Sequence, residues 1–80
     1  MENTREKVIE ILQKYTFNKS VWDHFTDDTN LIKDLKINSS RMVDIILDIE
    51  EVFQISISDE AIERVFTIGD VIREIETLKS

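Results

Sequence analysis

Residues 35–53 read LKINSSRMVDIILDIEEVF, and the last fifteen of them run without a Gly or Pro directly behind an asparagine. Such a run predicts a helix over Ser39 to Phe53, about 22 Å long at 1.5 Å per residue, with Asn38 capping its first turn. On a wheel of about 100° per residue, Met42, Ile46, Ile49 and Phe53 share one narrow arc, with Ile45 and Val52 on its flank. That arc is the expected core face. Asp44, Asp48 and Glu51 fall together on the opposite side, and Val43 and Leu47 sit beside these acids, away from the core arc. An apolar pair thus borders an acidic stripe.

Upstream, Val8, Ile11, Leu12 and Tyr15 recur at helical spacing, which predicts a first helix over about 3–15. Between 16 and 37 the periodicity breaks. Asn18, Ser20, Thr26, Asp27, Asp28, Thr29 and Asn30 punctuate the apolar anchors Phe17, Val21, Trp22, Phe25, Leu31 and Leu35, so a long, anchored loop with short helical turns is expected. Downstream, Ser58 or Asp59 starts a short helix through Val65, with Ile62, Val65 and Phe66 as its buried side. Thr67-Ile-Gly-Asp70 then resembles a capping box with Asp in place of Glu or Gln, ahead of Ile68, Val71, Ile72, Ile75 and Leu78 at helical spacing. The stretch from Gln54 to Ser58 alternates with period two, but a strand there has no partner in the sequence to pair with. The expected order is helix, long loop, helix, short helix, helix, in one domain spanning 1–80.

Seven acids and no Lys or Arg lie between Met42 and Glu63, as many as the whole net charge of −7. Like charges at i,i+4 cost roughly 0.2–0.5 kcal/mol per pair, so a stripe concentrated in this way points to the steering of cationic partners. Val43 and Leu47 would supply apolar contact once a partner has docked. The same charge argues against unaided binding to nucleic acid, which depends on cations that neutralise phosphates, and no apolar run approaches the roughly 18 residues of a membrane span. A composition 41% hydrophobic and 34% charged is that of a chain that folds. With no cysteine, stability rests on packing, as suits a protein of the cytoplasm. The apolar faces suffice for one core, so a monomer is expected.

From Leu35 through Asp59 the chain resembles the acyl carrier proteins, and the similarity covers residues 34–75. It is similar to that family's leucine, glycine, spacer, Asp-Ser-Leu motif, followed by an acidic second helix, a Glu-Glu-x-Phe-x-Ile-x-Ile segment and an Asp-Glu start to the third helix. The resemblance implies an all-α, acyl-carrier-like four-helix bundle with a long loop between helices one and two and a short third helix. It implies 4′-phosphopantetheine attached at Ser39, with Asn38 as the cap beside it and Ser40 as the fallback acceptor. A phosphodiester at that position would meet free N–H groups and the positive end of the helix dipole. It also implies partner docking through Val43, Asp44, Leu47, Asp48 and Glu51, the partners being a phosphopantetheinyl transferase and acyl-transfer or synthase-type enzymes with basic patches. A growing acyl chain in this family retreats between the helices, where Ile46, Phe53, Ile62 and Ile72 would line its path.

Four residues depart from the motif: Lys36 stands at its glycine, Asn38 at its aspartate, Ser40 at its leucine and Arg41 at an acidic or polar position. These make the attachment region less acidic and imply a specialised carrier in fatty-acid, lipid or polyketide-type biosynthesis. An unmodified interaction module with the carrier fold and an aminoacyl or peptidyl carrier are the alternatives. An independent enzyme is disfavoured because the chain holds no Cys, no Gly-rich phosphate loop and one histidine, His24. Asp23, Asp27, Asp28 and Asn30 cluster without the Gly and terminal Glu of an EF-hand loop, so no resident metal is expected.

Overall fold

Four α-helices form among the residues that the computed structural model describes, 3–17 and 19–79: α1 (Thr4–Lys14), α2 (Ser39–Phe53), α3 (Asp59–Glu63) and α4 (Ile68–Lys79). A 3₁₀ turn at Lys19–Asp23 supplies the helical turn expected in the long loop. Asn18 lies outside the described residues. Asn3 caps α1 by accepting from the Arg5 N–H at 2.8 Å, and Val8, Ile11 and Leu12 are buried where α1 packs on both α2 and α4.

The end of the segment from 16 to 37 is built into the core. Leu31, Leu35 and Ile37 are essentially inaccessible and join Ile45, Ile49, Ile68 and Ile75 in one cluster. It is strapped to the start of α4: the Leu31 N–H donates to the Phe66 carbonyl at 2.9 Å and the Ile68 N–H to the Thr29 carbonyl at 3.1 Å, around an isolated antiparallel bridge between Asn30 and Thr67. The Gly69 N–H donates to the Asp27 carbonyl at 2.9 Å. A Cβ at 69 would stand 3.1 Å from that oxygen, so the chain's single glycine sits where a side chain would crowd the strap. Phe17 is fully exposed, contrary to the expected anchor, while Val21, Trp22 and Phe25 pack partly against the core. The chain leaves α1 at Tyr15, and Phe17 points away before the 3₁₀ turn brings the next apolar residues back.

Helix α2 has the expected bounds, and Asn38 caps it by accepting from the Ser40 N–H. Ile45, Ile46 and Ile49 are its buried residues, with Met42 and Phe53 partly covered. Val52, expected on the flank of the core arc, is exposed, because it borders an open cleft against Lys7, Glu10 and Lys14 of α1. Gln54 then takes a left-handed conformation, φ 56°, and ends the helix. Gln54 to Ser58 is not a strand. It is an extended connector held by Glu50, whose Oε2 accepts from the Ile57 N–H at 2.7 Å, and its period-two pattern turns Ile55 and Ile57 toward the core with no strand beside it.

Ser58 caps α3, accepting from the Ala61 N–H at 3.2 Å. The helix stops at Glu63, short of the expected Val65, and its buried residues on this side are Ala61 and Val65 rather than Ile62 and Phe66. Phe66 is exposed because it falls in the extended strap and not in a continuing helix: its carbonyl accepts from Leu31 and its N–H donates to Asp70 Oδ2 at 3.0 Å. The capping box is formed, with the Asp70 N–H on Thr67 Oγ1 and the Thr67 N–H on Asp70 Oδ2, each at 3.1 Å. The hydrogen bond from Phe66 leads in holding the Asp70 carboxyl below its ordinary pKa of 3.8, helped by Thr67 and opposed by partial burial. Ile68, Val71 and Ile75 are buried, Ile72 is partly covered, and Leu78 is exposed at the last turn.

Candidate functional site

Ser39 opens α2 on an exposed turn, and among the described residues its hydroxyl has no hydrogen-bond partner. The neighbouring hydroxyl is engaged: Ser40 Oγ donates to Asn38 Oδ1 at 3.0 Å, and the same oxygen accepts from the Ser40 N–H at 3.0 Å. The Asn38 carbonyl takes the Arg41 N–H at 2.8 Å. First-turn amides expected to be free for an anion are therefore partly consumed by Asn38. The chain reaches this turn through Lys36, which has φ 58°. A non-glycine residue in that left-handed well costs roughly 1–2 kcal/mol, which accounts for the glycine of the related motif and makes the lysine here a local departure from the relaxed backbone.

The outward face of α2 follows. Val43 and Leu47 are 62% and 57% exposed and, four residues apart on one helix, form a small apolar patch on this face. Glu51 is exposed and Asp44 half-exposed, with Asp44 Oδ2 3.3 Å from the Arg41 guanidinium. Asp48 is turned toward α1. Its Oδ2 accepts from the Tyr15 hydroxyl at 2.6 Å and lies 3.6 Å from Lys14 Nζ. That hydrogen bond, then burial and the Asp48 charge, push the Tyr15 phenol up to about 12 from an ordinary 10.0. The acids of this region thus divide: Asp44 and Glu51 face outward, Asp48 ties α2 to α1, and Glu50 holds the connector to α3. Tyr15 and Lys14 as partners of Asp48 are not legible in the sequence, since the contact joins residues 33 apart across two helices.

Ile46 is buried, and Phe53, Ile62 and Ile72 are half-buried, Phe53 and Ile72 against the core. In the loop, Asp27 pairs with Arg5, and Asn30 Oδ1 accepts from the Ile32 and Lys33 N–H groups at 3.0 and 2.8 Å. Among the described residues no three His, Cys, Asp or Glu side chains converge as a metal site, and no helix is long and apolar enough to cross a membrane.

An unpartnered, exposed serine hydroxyl at a helix start, with Lys36 and Arg41 close by in the chain, fits a phosphodiester-linked arm: the oxygen is free to be substituted and the local charge suits a phosphate. The family model described as the phosphopantetheine attachment site matches residues 21–75. The acyl carrier protein of Wolinella succinogenes is 40% identical over 53 residues, covering 66% of this chain and 70% of that protein. That of Helicobacter pylori is 39% identical over 54 residues, covering 68% and 69%, and that of Thermotoga maritima 35% identical over 51, covering 64% and 63%. A solution structure assigned to an acyl carrier protein from Anaplasma phagocytophilum superposes with a TM-score of 0.85 at 31% identity, covering 99% of this chain and 91% of that one. With the helical bundle, the free serine at the start of its second helix and a family match running through both, the chain belongs to the acyl carrier protein family, whose members bear 4′-phosphopantetheine.

Proposed function

We propose that Ser39 is the attachment residue and that the chain is a specialised cytoplasmic acyl carrier, not itself an enzyme. The observation that carries the assignment is the contrast of two adjacent hydroxyls: that of Ser39 is exposed and unpartnered, that of Ser40 is tied to Asn38. Ser39 supplies the oxygen of the phosphodiester, and Asn38 keeps the first turn of α2 closed around it. The arm, when present, supplies a terminal thiol that holds an acyl group as a thioester. Val43, Asp44, Leu47 and Glu51, with Asp48 at the edge of the set, present the docking surface to a phosphopantetheinyl transferase and to synthase-type and acyl-transfer enzymes with basic patches. Lys36, Asn38, Ser40 and Arg41 support the specialised reading, since they put polar and cationic groups where the family motif is acidic, glycine or apolar.

The test is intact mass with peptide mapping, before and after incubation with coenzyme A and a broad-specificity transferase, beside a Ser39→Ala control. Gain of one phosphopantetheine that vanishes in the control is expected. A gain that persists and maps to Ser40 would move the attachment. No gain with any transferase would leave a carrier-fold interaction module, with Asn38→Asp as the variant to try next. Ready support of ordinary fatty-acid elongation by the loaded wild type would sink the specialised reading.

A further inference from the structure

A cleft of about 470 Å³ opens where the end of α1 meets the approach to α2, within the roughly 300–1,000 Å³ range of small-molecule sites. Its cations are Lys14, Lys36 and Arg41, and Tyr15, Phe17 and Asn38 complete the part that matters here. Ser39 lies in the chain between two of these, Asn38 and Arg41. In a protein of net charge −7, three cations gathered at one cleft stand against the overall balance.

The cations are not equivalent. Lys14 lies 3.6 Å from Asp48 and Arg41 3.3 Å from Asp44, so both have a carboxylate at hand. Lys36 has no ion pair or hydrogen bond among the described residues, and it holds a left-handed backbone that a glycine would adopt without strain. An outlier of this kind is the sort of position from which a functional constraint is read. Asn38 has already taken up two first-turn amides, those of Ser40 and Arg41, which leaves side-chain cations a larger share in meeting a phosphate on Ser39.

We propose that this cleft seats the arm attached at Ser39, with Lys36 and Arg41 meeting the phosphodiester and Tyr15 and Phe17 flanking the chain that follows it. The proposal rests on the attachment at Ser39 argued above. The exposed Phe17, which no core contact explains, becomes a wall for the arm. Seating on this side draws the arm toward α1 and away from the outer face of α2, which stays free for a docked enzyme.

The experiment is ¹⁵N and ³¹P NMR on the isolated protein, apo and loaded, with loading at Ser39 verified by mass. Amide signals of residues 14–17 and of Lys36 are expected to move on loading. The ³¹P resonance of the phosphodiester is expected to shift in Lys36→Gly and Lys36→Gln and to return toward its wild-type position in Lys36→Arg. Lys36→Gly relaxes the backbone, so loss of folding does not confuse its result, and the absence of any partner rules out a docked acidic surface as the cause. Unchanged signals at 14–17 and one ³¹P position across all the variants, in protein shown to be loaded, would overturn the seat and leave the attachment intact. No mass gain at Ser39 would overturn both.

Discussion

The irregular segment before α2 and the outer face of α2 exchange the roles their regularity suggests. Leu31, Leu35 and Ile37, on a chain with almost no helix, are buried as deeply as any residue of the bundle, whereas Val43 and Leu47, in the middle of the longest helix, stand in solvent. A helix satisfies its own backbone, so one face can be left uncovered at little cost. An irregular segment must find partners for its N–H and C=O groups case by case, and here it finds them in its own turns, as the Leu35 N–H on Asn30 and the Ile37 N–H on Leu31, and in the strap to Phe66 and Ile68. The loop and its strap therefore share the core with the helices, and the outer face of α2 is left open for the docking proposed above.

The largest effects belong to the buried side of that contrast. Leu31→Ala is expected to cost about 2–5 kcal/mol in urea or thermal unfolding, and Leu47→Ala to stay within about 0.5 kcal/mol. Comparable losses at the two positions would break the division between a structural loop and a free helix face. Next in size is the strap's junction with α4. Thr67→Ala removes an N-cap oxygen and is expected to cost about 0.5–2 kcal/mol. The Asp70 carboxyl is held below 3.8 by amide donors in the folded state, so its contribution is fully present above that pH and is lost as pH falls through the depressed folded value. Asp70→Asn is expected to flatten that acid limb in pH-dependent unfolding. An acid limb unchanged in the variant would place the sensitivity elsewhere.

The link between α1 and α2 titrates at the other end of the scale. The Tyr15 phenol is raised to about 12 by its bond to Asp48, so its contribution is present below pH 10 and disappears as pH climbs toward 12. Tyr15→Phe is expected to cost about 1 kcal/mol at neutral pH and to remove that alkaline limb. A neutral result would mean that Asp48 is as free for docking as Asp44, which would enlarge the outward acidic face.

Much of this division was legible in the chain itself, and the misses share one cause. The bounds of α2, its Asn38 cap and the Thr67–Asp70 box follow from local rules, because a cap and its acceptor lie within four residues of each other. The outward positions of Val43 and Leu47 follow from helical periodicity. Phe17, Val52 and Phe66 were expected inside and are exposed, since each sits where the periodic phase is reset by a turn or opened by a cleft with a neighbouring element. Ile37 is buried for a tertiary reason as well. The Ser39 register was carried by resemblance to the motif, and its unpartnered hydroxyl emerges only when Ser40 is seen bonded to Asn38. The left-handed lysine is likewise invisible to composition, because glycine stands in neither of the two left-handed positions among the described residues.

Those two positions, Lys36 and Gln54, provide the finest comparison, since they bracket α2 with nearly the same φ, 58° and 56°. Glycine at either relieves roughly 1–2 kcal/mol of strain and gives back about 0.4–1 kcal/mol through a freer unfolded chain, so each variant is expected to gain between roughly 0 and 1.6 kcal/mol. At Gln54 part of that gain is offset, because its Nε2 donates to the Glu51 carbonyl at 2.6 Å and glycine loses the bond. At Lys36 nothing among the described residues is lost. Lys36→Gly is therefore expected to stabilise more than Gln54→Gly in parallel urea titrations. The reverse order would mean that Lys36 holds the approach to α2 through its side chain, and the lysine would then be structural. The expected order would mean that the Lys36 side chain adds less to the fold of the unloaded chain than that of Gln54 does, which leaves it available, two residues beyond Asp34 and directly ahead of the first turn of α2, for the phosphodiester proposed above.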